Sequence, residues 1–186
     1  MNGDEGITAL GAVYQSVENL GLQTWYYHGC NAAVLFYIDA IYEIENLTLG
    51  IQYGNQSKNS NDNSGPDGDV YGVMASYTIN DFTLNGSYNK VSGTIINGFG
   101  GGPFFTNAGD HTIDGVLDQG AVSVGIDYHG VDNLTLTLLH VSFDKGADET
   151  DFIINYDFGN DITLDMTYHD MQEDGKILLA LFNFSF

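Results

Sequence analysis

Ala33-Val-Leu-Phe-Tyr-Ile-Asp-Ala-Ile-Tyr-Glu-Ile-Glu-Asn-Leu-Thr-Leu-Gly-Ile-Gln-Tyr53 decides the fold of this chain. Two runs with a period of two meet at Glu45-Asn46. After that pair, Leu47, Leu49, Ile51 and Tyr53 alternate with Thr48, Gly50 and Gln52. Period-2 alternation is the signature of a strand with unlike faces. Asn and Asp tolerate left-handed backbone angles and satisfy local backbone groups, so a short polar pair between two such runs reads as a hairpin turn. The motif recurs as Glu18-Asn-Leu-Gly-Leu22, Asn80-Asp-Phe-Thr-Leu84, Asp132-Asn-Leu-Thr-Leu136 and Asn160-Asp-Ile-Thr-Leu164. Five tight hairpins describe an antiparallel β-meander.

Alternating runs cover residues 7–17, 20–28, 33–44, 47–56, 70–79, 82–92, 121–129, 134–144, 152–158, 162–171 and 177–186. Most approach the roughly 9–11 residues that a tilted strand needs to cross a bilayer. No sustained helical period interrupts them, and Pro66 and Pro103 fall between strands, where proline does least harm. The connections alternate in kind. The recurrent turns take two to four residues, whereas 57–69, 93–120, 145–151 and 172–176 are mostly longer and rich in Gly, Asn, Asp and Ser. Short turns at one end and longer loops at the other match the periplasmic and extracellular sides of an outer-membrane barrel. The expected fold class is therefore all-β, a transmembrane antiparallel barrel meander with a single domain over residues 1–186. Residues 57–69 and 93–120 would be extracellular or pore-folded loops.

Composition narrows the function. Four Lys and no Arg face 25 Asp plus Glu, a formal net charge of -21, which argues against nucleic acid as a partner. Aromatic content of 13% argues against disorder. Cys30 is the only cysteine, so no internal disulfide forms. No window holds the roughly 18 consecutive apolar residues of a spanning helix, but a barrel hides its apolar residues at alternate positions.

The aromatic positions separate a membrane barrel from a soluble one. Tyr14, Tyr42, Tyr77, Tyr128 and Phe158 fall near the strand ends that carry the recurrent turns, and Tyr26, Tyr53, Tyr71, Tyr88 and Tyr168 near the other ends. All lie on the apolar alternation, as two girdles at lipid–water interfaces should. Phe182, Phe184 and Phe186 share one face of the last strand and resemble the C-terminal signal read by the barrel-assembly machinery of bacterial outer membranes. Eleven strands is an odd count, whereas single-chain bacterial barrels have an even one. The first residues also lack the basic start and apolar run of a signal peptide. Both features lead us to expect the C-terminal part of a larger barrel.

The order of elements resembles the OprD-like outer-membrane porins, particularly the epsilonproteobacterial type. The likeness rests on residues 22–51, on Gly100-Gly-Gly-Pro-Phe-Phe-Thr106 with His111-Thr-Ile-Asp-Gly115, and on the aromatic-ended last strand. It implies a barrel of about 18 strands that admits small solutes passively, in some members basic amino acids or carboxylate-bearing nutrients. Members with known selectivity carry a ladder of arginines along the pore, and this chain has no Arg, so an anion-guiding wall does not carry over.

Catalysis is not expected. No G-x-S-x-G, H-E-x-x-H, P-loop or C-x-x-C motif is present. His28, His111, His129, His140 and His169 are scattered without metal-ligand spacing. The acidic stretch 59–69 lacks the register and closing Glu of a calcium loop, and weak surface binding of divalent cations is all it suggests. No cofactor or resident metal is expected. Asp39, Glu43, Asp127, Asp157 and Asp165 are assigned to the lumen wall, because charge facing lipid is costly. Asp110, Asp114 and Asp118 belong to a loop long enough to fold into the pore and narrow it. The leading expectation is a passive porin whose acidic lumen favours cations or cationic solutes. Its partners would be outer-membrane lipid and lipopolysaccharide, the assembly machinery and small polar or cationic solutes, with a homotrimer open to it. Two alternatives stand beside it: a non-conducting surface barrel with an adhesive or structural role, and a soluble acidic β-sandwich that binds carbohydrate.

Overall fold

The computed structural model describes residues 6–29, 33–58, 66–96, 104–172 and 174–184. Cys30, residues 59–65 of the stretch 59–69, Gly100–Pro103 of the loop signature and Phe186 lie outside them. Eleven strands follow one another: β1 Ile7–Val17, β2 Leu20–Gly29, β3 Ala33–Ile44, β4 Leu47–Lys58, β5 Gly68–Ile79, β6 Phe82–Gly93, β7 Gly120–Val131, β8 Leu134–Phe143, β9 Glu149–Gly159, β10 Ile162–Asp170 and β11 Lys176–Phe184. They form one sheet in sequence order, every neighbour antiparallel.

All five recurrent turns are two-residue connections, and each contains a left-handed residue. These are Asn19 (φ 63°), Glu45 (51°), Asn80 (51°), Asn133 (63°), and Asn160 (53°) with Asp161 (60°). The first, fourth and fifth turns follow a register shift, between Tyr14 and Val17, between Tyr128 and Val131 and between Asp157 and Gly159, so a bulge in the incoming strand accompanies each. Several far strand ends extend beyond the alternating runs, because polar residues such as Ser57, Lys58 and Asp69 continue the ladder. β9 differs most: it begins at Glu149, three residues before Phe152.

The two faces of the sheet are opposite in character. The register places Tyr26 opposite Phe36, Ile51 opposite Val73, Leu84 opposite Ile126 and Leu164 opposite Phe182, all on one face. That face is exposed: Ile51 is 61% accessible, Val124 55% and Phe182 59%. The other face buries polar groups, among them Asp39, Gln52, Asn89, Glu149, Asp151 and His169. A soluble protein buries the opposite set. The outer edges of β1 and β11 pair with no other described strand, and every residue of both is exposed.

The buried apolar residues are few and local. Val70, Val91, Ala121, Val141 and Phe143 on the polar face, in the half away from the recurrent turns, pack with Ile95, Phe104 and Ile113 of the β6–β7 connection. This long loop therefore lies against the polar face and creates the only hydrophobic core cluster among the described residues.

Candidate functional site

The polar face divides into a half that stands open and a half covered by the β6–β7 loop. In the open half, carboxylates are held by neutral donors from adjacent strands. Asp127 on β7 accepts from Asn85 of β6 at 2.6 Å and from Thr137 of β8 at 2.5 Å. Asp165 on β10 accepts from Asn155 of β9 at 2.7 Å and Asn183 of β11 at 2.8 Å. Asp39 on β3, itself buried, accepts from Gln23 of β2 and from the hydroxyl of Tyr37 on its own strand at 2.8 Å. Thr137, Asn155 and Gln23 stand directly opposite their carboxylates, and Asn85 and Asn183 stand diagonally on the same face, within reach across an antiparallel pair. Such donors fix each carboxylate and leave its negative charge uncompensated.

Glu43 and Asp157 lie on the same face by register, opposite Thr48 and Thr163, nearer the recurrent turns. Glu43 is exposed, and Asp157 accepts the Gly159 amide at 2.7 Å within its own turn.

The lysines are elsewhere. Lys58 ends β4, and Lys145 sits in the β8–β9 connection with its ammonium on the Leu117 carbonyl. Lys90 bonds Asp144 at 3.0 Å, and Lys176 at the start of β11 bonds Asp170 at 2.7 Å. All four stand towards the ends of strands remote from the recurrent turns. Among the described residues, no lysine or histidine forms an ion pair with Asp39, Asp127 or Asp165.

Three groups of hydrogen bonds tie down the loop between β6 and β7, beside the Ile96 amide on Gln56 Oε1 at 2.9 Å and the Lys145 ammonium on the Leu117 carbonyl. At its base the Asp118 amide donates to the Gly93 carbonyl and the Gly93 amide to the Asp118 carboxylate, both at 2.8 Å. Asp118 is thus a turn residue at the loop's root, and Asp114 is half-buried. Over β4 to β6, the Phe105 amide donates to Gln52 Oε1 at 2.9 Å, and the Thr106 amide and hydroxyl donate to Asn89 Oδ1 at 3.1 and 3.2 Å. Asn89 Nδ2 joins the two by donating to Gln52 at 2.8 Å.

The third tie lies over β9 and β10. The Gly109 amide donates to Asp151 Oδ2 at 2.9 Å, the Asp110 amide to Glu149 Oε1 at 3.0 Å and the His111 amide to Glu149 Oε2 at 2.7 Å. His169 Nδ1 stands 2.7 Å from Asp151 Oδ1 and 3.2 Å from Glu149 Oε1, and His111 Nδ1 is 2.9 Å from Glu149 Oε2. Asp110 contributes its amide here, while the residue itself is exposed.

The sequence alone does not bring this group together: it sets Glu149 and Asp151 in a connection and leaves His111 and His169 without metal-ligand spacing. The one signal available was the alternation of Glu149 and Asp151 with Thr150 and Phe152, continuous with the strand. Glu149, Asp151 and His169 offer ligand atoms within 4.8 Å of one another, a geometry that could hold a metal ion. However, backbone amides and imidazoles already lie on all four carboxylate oxygens.

No protein-family model matches the sequence, and no curated protein does. Solved structures do match in fold. OccK8 (OprE) of Pseudomonas aeruginosa superposes with a TM-score of 0.80 at 15% identity, over 95% of this chain and 56% of that one. The outer membrane protein OprD of Pseudomonas aeruginosa gives 0.76 at 15% identity, over 95% and 58%. A BenF-like porin from Pseudomonas fluorescens Pf-5 gives 0.74 at 16% identity, over 95% and 53%. This chain has the β-meander fold of those proteins and spans between half and three fifths of their length.

Proposed function

We propose that this chain forms a large part of the wall of an OprD-like porin, a passive diffusion channel of a bacterial outer membrane whose acidic interior favours cations and cationic solutes. The observation that carries this reading is the inverted distribution of side chains. Large apolar residues are exposed on one face, while Asp39, Gln52, Asn89, Glu149 and Asp151 are buried on the other. Apolar residues facing lipid and polar residues facing a lumen produce that distribution.

The dimensions agree. On β5 the exposed apolar set runs from Tyr71 to Ile79. That is about 27 Å along a strand, or about 20 Å of height at a tilt of about 40°, near the roughly 25 Å apolar band of such barrels. The polar or charged residues Asn55, Asp69, Lys90, Thr150 and Asp170 continue this face beyond Tyr53, Tyr71, Tyr88 and Tyr168, as they would at a headgroup boundary. In lipid, the free edges of β1 and β11 would each leave a row of unsatisfied N–H and C=O groups, costing several kcal/mol per group. We propose that further strands close the barrel, as in the longer structures that share the fold.

The cation preference rests on Asp39, Asp127 and Asp165, all held by neutral donors, and on the position of every lysine away from them. A low-dielectric wall around uncompensated negative charge concentrates counter-ions. The apolar packing of Phe104 and Ile113 under the loop favours a second reading, a barrel closed by its own loop with a structural or adhesive role. The full-length protein reconstituted in a planar bilayer separates them. Discrete ohmic steps are expected. A folded, heat-modifiable protein that inserts without conducting would overturn the channel and leave the closed barrel.

A further inference from the structure

We infer that Glu149, Asp151 and His169 are positioning residues that grip the β6–β7 loop and thereby set the bore of the channel; this rests on the porin reading above. Three consecutive amides, those of Gly109, Asp110 and His111, point at two carboxylates at 2.7–3.0 Å. Successive backbone N–H groups converging in this way form an anion-binding concavity. Here the anion is supplied by the barrel wall itself, and Glu149 and Asp151 are each only 1% exposed.

His169 completes the grip from the neighbouring strand. Its ring bridges Asp151 and Glu149, and it fills the space beside Gly109, where an added Cβ would lie 1.9 Å from His169 Cε1. The loop can approach this closely only because residue 109 is glycine. Without the grip, the stretch from Ala108 to Thr112 would keep the Gln52–Asn89 tie and the apolar packing of Phe104 at one end. At the other it would retain its base at Gly93 and Asp118, the Gly115 amide on the Ile95 carbonyl, the Lys145 ammonium on the Leu117 carbonyl and the packing of Ile113. The bore would then fluctuate, while Asp39, Asp127 and Asp165 and the selectivity they impose would remain.

Two variants attack the contact from opposite sides: Asp151→Asn on the wall and Gly109→Ala on the loop. Both are made in the full-length protein and checked for heat-modifiable folding. Each is expected to raise mean single-channel conductance at least about twofold, or to add open-channel noise, with the cation-to-anion permeability ratio unchanged. His169→Ala removes the atoms that Gly109→Ala strikes, so the double variant should show no more than the effect of His169→Ala alone. Hydrogen exchange at the amides of Gly109, Asp110 and His111 should accelerate in Asp151→Asn.

Folded variants with wild-type conductance and noise would overturn the inference, as would additive effects in the double variant. A chelator that reproduces the variant phenotype in the wild type would make the group a metal site and overturn the grip. If the wild type does not conduct, the porin reading fails instead, and the exchange measurement still decides whether these residues hold the loop.

Discussion

Glu45 holds a backbone φ of 51°, in a region where an L-residue's Cβ crowds its own carbonyl. The other recurrent turns place Asn or Asp at their left-handed positions, and those side chains tolerate the geometry better. Glu45→Asn should therefore stabilise the protein by about 1 kcal/mol, read as a higher unfolding temperature in detergent. Gly93 is the reverse case. Its φ is 80°, and an added Cβ would lie 2.3 Å from the Asp67 carbonyl oxygen, a backbone atom that cannot swing aside. Gly93→Ala should cost about 2 kcal/mol or more and loosen the loop root it shares with Asp118; an unchanged unfolding midpoint would contradict this. At this scale much of the polar face was legible. Asp39, Asp127 and Asp165 occupy alternate positions opposite apolar neighbours, and period 2 alone assigns them to one face. The grip on the loop was not legible. Asp151 and Gly109 are 42 residues apart in sequence, and a backbone amide donor leaves no trace in composition.

Each strand carries two faces that should respond oppositely to the same substitution. Ile51 on β4 is exposed on the apolar face, and Thr137 on β8 lies on the polar face beside Asp127. A lysine at 51 should cost about 2–4 kcal/mol if it stands near the bilayer midplane. A lysine at 137 should leave folding nearly intact and weaken cation preference by compensating Asp127. Urea unfolding in lipid vesicles measures the first effect and reversal potentials the second. Equal stability losses at the two positions would contradict the assignment of faces. Strand ends at the recurrent turns were readable because Asn and Asp mark left-handed positions. The opposite ends were not, since Ser57, Lys58, Asp69 and Glu149 have loop-like composition yet remain in the ladder. The start of β9 shows why. Glu149 and Asp151 look like solvated loop acids until a remote segment is seen to supply their hydrogen bonds.

For the molecule as a whole, a net charge of -21 carries a direction once the sheet is in view. The four lysines stand towards the strand ends remote from the recurrent turns, while neutral Asn, Thr, Gln and Tyr hold the carboxylates of the open polar face. The resulting wall would attract cations by its field and bind none of them through a dedicated cage. It should therefore conduct without saturating at low concentration and lose selectivity as salt rises. The odd strand count and the open edges belong to this scale too, because closure is a property of the whole barrel and not of any element in it. The decisive measurement is the reversal potential of the full-length protein in a potassium chloride gradient. The sign of cation preference is expected, reduced in Asp127→Asn and reduced further when Asp165→Asn is added. An anion-selective or unselective wild type, or a preference indifferent to both substitutions, would contradict it.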